Sequence, residues 1–275
     1  MKRPYVIYVF SDQHRAQACG YAGDPNVQTP HMDALARESL RFTNAVSTAP
    51  VCCPARASLI TGQYAHQHDV FLNDLCLSNN AVSIAQAFGG AGYDTAYIGK
   101  WHLDGHGRNA YIPSERRQGF AYWSAMEGTH DYQHSEYYHG DDKTRRLWQG
   151  YDASAQTDEA IRLFQTRDAG KPLFLMLSWG PPHNPYETAP DAYRAMYRED
   201  TVALRDNVPF ERREWARREL SGYYAHISAL DACLGRLVAA INATGAADDT
   251  ILIYTSDHGD MLHSQGVQRK QSPVM

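Results

Sequence analysis

Two stretches limit the possible folds more than any other part of the chain: YVIYVFSDQ at residues 5–13 and TILIYTSDH at residues 250–258. Each is a continuous β-branched and aromatic run, the pattern of a strand buried on both faces of a parallel sheet. Each breaks into polar residues at its carboxyl end, Asp12-Gln13 in the first and Asp257-His258 in the second. In open α/β sheets, ligands bind beyond the carboxyl ends of the strands. If these two strands are neighbours, two carboxylates, an amide oxygen and an imidazole converge on one point. Such donors suit a hard divalent cation, Ca²⁺, Mg²⁺ or Mn²⁺, with the imidazole moving the balance slightly toward Mn²⁺. Polar residues are also the ordinary content of a loop after a strand, so either dipeptide alone says little. The pairing of the two carries the argument.

The rest of the chain alternates in the same way. Thr29-Pro30 reads as the N-cap and first residue of a helix over MDALARESL. A second helix is expected just after Pro54, closing at Gly62, and a third over residues 83–93, followed by a strand in DTAYIG. Residues 105–150 have weak periodicity and read as a long excursion over the active face. A helix over Ser154 to Arg167, a buried strand in PLFLMLSW (172–179) and a long helix over Glu211 to Thr244 complete the pattern. This predicts one α/β domain over residues 1–275, a largely parallel central sheet with helices on both faces. The aromatics of the excursion (Tyr122, Trp123, His130, Tyr132, Tyr137, Tyr138) suit a sugar or aryl pocket and a packed surface loop equally.

A net charge of -5 lacks the basic stripe that a general nucleic-acid binder needs. The first apolar run is only six residues long, too short for a signal-peptide core, and no segment reads as a membrane span. Five cysteines (Cys19, Cys52, Cys53, Cys76, Cys233) have no disulfide-framework spacing, and the adjacent pair has no partner at structural-zinc spacing. The expectation is a cytoplasmic protein with reduced thiols and no membrane or nucleic-acid partner.

The frame around the adjacent cysteines is more specific. VCCPARASLITG, residues 51–62, contains Cys52-x-Pro54-x-Arg56 with Thr61-Gly62 five and six residues past the arginine. This resembles the signature of the formylglycine-dependent type I sulfatases, which share the alkaline-phosphatase-like architecture. GKWHLDG (99–105), PPHNPYE (181–187) and SDHGDMLHSQGVQRK (256–270) resemble further segments of the same family, in the same order along the chain.

The resemblance implies a fold, a reaction and a set of roles. Cys52 is the residue that a maturation enzyme oxidises to Cα-formylglycine, and Cys53 fills a variable position. Asp12, Gln13, Asp257 and His258 hold one divalent cation, with Ca²⁺ ahead of Mn²⁺ and Mg²⁺. Arg56 and Lys100 fix the hydrated aldehyde, and His102 takes the proton that triggers sulfate release. His183 and Lys270 bind sulfate oxygens, one of them protonating the leaving alcohol. The substrate is a small-molecule or saccharide sulfate ester, and a homo-oligomer is compatible with this reading. Gln13 and His258 stand where many sulfatases have Asp and Asn, a combination that also resembles the phosphonate monoester and phosphodiester hydrolases of the same fold. Relatives continue past the lysine into further strands and a smaller C-terminal domain, which these 275 residues lack. A non-catalytic fragment, or one half of a split enzyme, is therefore a third reading.

Overall fold

The computed structural model describes residues 3–270. In chain order its elements are β1 (Tyr5–Asp12), α1 (Pro30–Glu38), α2 (Cys52–Thr61), α3 (Ala65–His68), α4 (Ile84–Gly90), β2 (Asp94–Lys100), β3 (Tyr122–Met126), β4 (Glu136–His139) and β5 (Asp142–Leu147). They continue with α5 (Asp152–Thr166), β6 (Leu173–Pro182), α6 (Asp191–Arg194), α7 (Arg213–Ala243) and β7 (Thr250–Ser256). The strands form one seven-stranded sheet in the order β5-β4-β3-β2-β6-β1-β7. The five strands from β3 to β7 along this order are parallel, and β4 and β5 add an antiparallel extension.

Alternation along the central strands builds two cores. Ile7, Val9, Leu175 and Leu177 face α5 and α7, packing with Phe164, Leu230, Leu234 and Leu237. Val6, Phe10, Phe174 and Met176 face α2 and α4, with Ala57, Ile60, Ala85 and the ring cluster of Tyr97, Trp101 and Trp123. Each fully buried apolar side chain of this size contributes about 1.5–3 kcal/mol. The central strands are therefore covered on both faces, as their continuous apolar runs predict, whereas β7, expected to be buried, is half-buried with Ile251 exposed.

Three further expectations change. The excursion of 105–150 contains three strands of the main sheet, and its aromatics are mostly structural. Trp123, Tyr132 and Tyr138 are buried, and Tyr137 stacks on Trp148. Helix α2 begins at Cys52, ahead of Pro54, so the cysteine is itself in the first turn. The helix at Phe210–Ala243 is long and apolar enough to cross a membrane by length and composition, although 67% of its most apolar window is buried inside the fold. That burial, against α1, α5 and the sheet, accounts for its composition.

Gly99 shows how closely β2 approaches β6. Its φ is +105°, and a Cβ there would lie 2.0 Å from the Ser178 carbonyl oxygen. Gly99→Ala is expected to destabilise the fold by at least ~2 kcal/mol through this clash and the left-handed backbone, read as a lowered urea midpoint.

Candidate active site

β1 and β7 are neighbours, with Ser11 opposite Ser256, so Asp12 and Asp257 leave the sheet side by side. On the other side of β1 the pairing with β6 slips between Ser11 and Asp12, which turns Asp12 toward Pro182. His258 Nε2 lies 3.5 Å from Asp12 Oδ1 and 3.6 Å from Asp257 Oδ1. The Nδ1–H of His258 donates to the Gly259 carbonyl at 3.0 Å, so Nε2 is the nitrogen that faces the carboxylates and becomes a ligand once its proton leaves.

Cys52 closes the ring. It is the first residue of α2, and its Sγ is 3.3 Å from His258 Nε2, 3.6 Å from Asp12 Oδ1 and 2.9 Å from Lys270 Nζ. One ligand atom each from Asp12, Cys52, Asp257 and His258 lies within 4.8 Å of the others, and all four residues are buried. Val51, the N-cap, offers no side-chain acceptor, so the positive end of α2 faces the sulfur. Burial and the Asp12 charge push the Cys52 thiol up, but Lys100, His102 and His183 outweigh them and hold it well below the usual thiol range. Cys53 points the other way, into the α2–α4 core, where its sulfur accepts from Asp74 N and burial pushes its thiol up to about 12.

The charges of the ring are held by Arg56, one turn further along α2. Its Nη2 donates to Asp12 at 3.1 Å, its Nε to Asp257 at 3.1 Å, and its Nη1 to the Lys100 carbonyl and Ser178 Oγ. Every described side-chain hydrogen bond of Arg56 goes to these groups. Lys100 Nζ donates to Asp12 at 2.5 Å. Burial opposes the ionised form of Asp12, yet Lys100, His183, Lys270 and Arg56 hold its carboxyl well below the usual range. Asp257 is raised, by burial and then by the Asp12 charge. His258 is pulled up to about 9: burial acts against the charged ring, but Asp257, Cys52 and Asp12 prevail. Two adjacent carboxylates competing for positive charge, with an imidazole nitrogen turned toward them, fit a divalent cation.

The other anticipated residues surround this ring, with one difference. Gln13 sits in the left-handed region (φ +68°), and its side chain is turned sideways. Its Nε2 donates to Asp260 at 2.6 Å and its Oε1 accepts from Lys270 at 2.9 Å, so the amide oxygen faces the lysine. His102 (φ +59°) bonds Asp74 through Nε2 at 3.3 Å, and its buried Nδ1 has no hydrogen-bond partner among the described residues. His183 holds the Asn184 carbonyl through Nδ1 at 2.8 Å and stacks on His130, with ring centroids 5.1 Å apart. Of the excursion aromatics named above, His130 is the one placed against a site histidine.

Three supporting residues had no signal in the strand pattern. Asp260 anchors Gln13 and also accepts from Tyr186. Ser178 is an inward position of β6 that bonds Arg56. Glu127, just past β3, accepts the backbone N–H groups of Leu103, Asp104 and Gly105 and so fixes the loop that carries His102. A buried carboxylate that ties down another loop is visible only once the strands are paired.

A family model described as Sulfatase matches residues 4–274. The chain belongs to the sulfatase family. It is 45% identical over 274 residues to an ulvan-active sulfatase of Formosa agariphila, covering 99% of this chain and 53% of that protein. Its fold matches a solved Bacteroides thetaiotaomicron protein described in connection with the metabolism of multiple glycosaminoglycans, with a TM-score of 0.89 and 30% identity, over 96% of this chain and 63% of that one. It also matches the phosphonate monoester hydrolase of Agrobacterium radiobacter in fold, with a TM-score of 0.76 and 24% identity, over 98% and 65%. The sulfatase chain thus spans between about half and two thirds of the length of these relatives. With these neighbours its α/β architecture is alkaline-phosphatase-like.

Cation binding to the unmodified chain requires the His258 proton to leave. Because that imidazole is raised to about 9, affinity for Ca²⁺ or Mn²⁺ is expected to strengthen about tenfold per pH unit up to pH 9 and then level off. Calorimetric titration across that range measures the slope, and His258→Ala should flatten it.

Proposed function

We propose that this chain is the catalytic core of a sulfuric ester hydrolase whose nucleophile is carried at position 52. One observation bears most of the weight: the Cys52 sulfur sits inside a buried ring of two carboxylates, an imidazole and a lysine. No ordinary core cysteine needs such surroundings, since free cysteines usually pack as small hydrophobes, as Cys53 does here.

In this reading a maturation enzyme oxidises Cys52 to formylglycine, which supplies, when hydrated, one hydroxyl to attack sulfur and a second to expel sulfate. Asp12, Asp257 and His258 hold a divalent cation, which supplies positive charge against the non-bridging sulfate oxygens. Arg56 keeps both carboxylates ionised and fixed in position. Lys100 and Lys270 place ammonium groups on either side of position 52 and offset the charge that grows in a sulfuryl-transfer transition state. His102 reaches the site from the loop after β2, and its unpartnered Nδ1 is the group suited to take a proton from the second hydroxyl. With Nδ1 held by Asn184, His183 has only Nε2 left to bind a sulfate oxygen or protonate the leaving alcohol.

The ulvan-active relative and the glycosaminoglycan-linked neighbour support a saccharide sulfate ester as substrate. Gln13 and His258 in the ligand region keep a phosphonate monoester or phosphodiester as the second reading, because a sulfate monoester and a phosphodiester carry the same single charge.

Cys52→Ala is expected to abolish hydrolysis of an aryl sulfate, while Cys53→Ala retains most of it. Equal loss in both variants would assign the nucleophile elsewhere. Mass spectrometry of the tryptic peptide holding position 52 should show a loss of about 18 Da in matured protein. Turnover of a phosphonate monoester in preference to an aryl sulfate would reverse the order of the two readings.

A further inference from the structure

A second cavity is bordered by Asp260 but by none of the cysteine-ring residues. Its volume is 220 Å³, room for roughly seven waters, and it is formed by the loop after β1, the segment before α7 and the loop after β7. Arg15, Gln17, Arg205, Asp260 and Ser264 are among the residues that line it.

Its donors are not all satisfied from within. Arg15 is 5% exposed, and its buried Nε has no hydrogen-bond partner among the described residues. Its Nη2 reaches only the Tyr224 hydroxyl, at 3.4 Å. Asp260 lines the same cavity but is already committed. Its Oδ1 accepts from the backbone of Leu262 and Arg269, and its Oδ2 from Gln13 and Tyr186. Ser264 is 3% exposed and its Oγ also has no partner among the described residues. Arg205 stands exposed at the rim.

Leaving a buried donor without an acceptor costs about 1–3 kcal/mol, so such groups persist where a ligand completes them. Two guanidinium groups offer only donors, and a serine hydroxyl can add a third. That set matches a tetrahedral oxyanion, because forked guanidinium donors bind two oxygens of such a group at once.

We propose that this cavity is a second oxyanion site, which takes a sulfate or phosphate group either as the free ion or carried on a saccharide. It stands on the cavity and its unpaired donors, independently of the hydrolytic reading of position 52. Asp260 connects the two sites, since the carboxylate that lines the cavity also holds Gln13 beside Lys270.

The test is calorimetric titration of inorganic sulfate, and separately of inorganic phosphate, into the chain and into Arg205→Ala and Ser264→Ala. Arg205 is exposed, and an unchanged far-UV spectrum and melting point without anion identify variants that fold. Each substitution is expected to weaken one binding component about tenfold, the loss of one charge-assisted contact. His183→Ala, which alters the cysteine ring, should retain that component. The same titration with a sulfated oligosaccharide distinguishes the sources: weakening there assigns the site to a carried group, and weakening for the free ions alone assigns it to an inorganic anion. Isotherms for both variants that superimpose on that of the unsubstituted chain, or no anion binding by that chain, would overturn the proposal.

Discussion

The geometry of this protein depends on Arg56. Two carboxylates, Asp12 and Asp257, are buried at the tips of adjacent strands, a placement that costs several kcal/mol per charge if nothing compensates it. The guanidinium meets both with separate nitrogens and spends its remaining hydrogen bonds on the Lys100 carbonyl and Ser178. One side chain therefore ties α2 to four strands of the sheet. Cys52 lies four residues earlier on the same helix, which places it over the Arg56 turn and next to the carboxylates the arginine holds. Position 52 is held in place by a neighbour whose side chain makes no described hydrogen bond to it.

The strands nearest the site were the most legible part of the sequence. β1, β6 and β7 are buried or half-buried runs of β-branched and aromatic residues whose ends are marked by charge, and each forms close to where the pattern places it. β3, β4 and β5 were missed, and for β5 the reason is physical. DKTRRL is exposed along its whole length, and an edge strand that buries neither face has no alternation to read. The start of α2 was placed late because Val51 carries no capping side chain and Pro54, a residue favoured in first turns, is the local signal.

For the site itself, motif and geometry each supplied a different half. Asp12, Asp257, His258 and Cys52 were identified from strand ends and from a family resemblance, and they do converge. What a motif cannot state is which partner a side chain takes. The Arg56 side chain holds the two carboxylates, a contact the motif did not specify, while the Gln13 amide oxygen turns to Lys270. Both outcomes follow from local competition for charge. A buried guanidinium goes to the nearest ionised carboxylates, and an amide oxygen accepts from whichever ammonium is in reach.

The position of β7 would give a cation bound at this cluster an additional structural role. Among the described residues this strand is bonded on one side only, to β1, yet the turn at its end supplies two of the candidate ligands. An ion gripped from both strand tips would rivet a peripheral ribbon to the interior. Metal loading would then slow amide exchange along residues 250–256 more than elsewhere, so that occupancy of the centre is reported by the breathing of the sheet's margin.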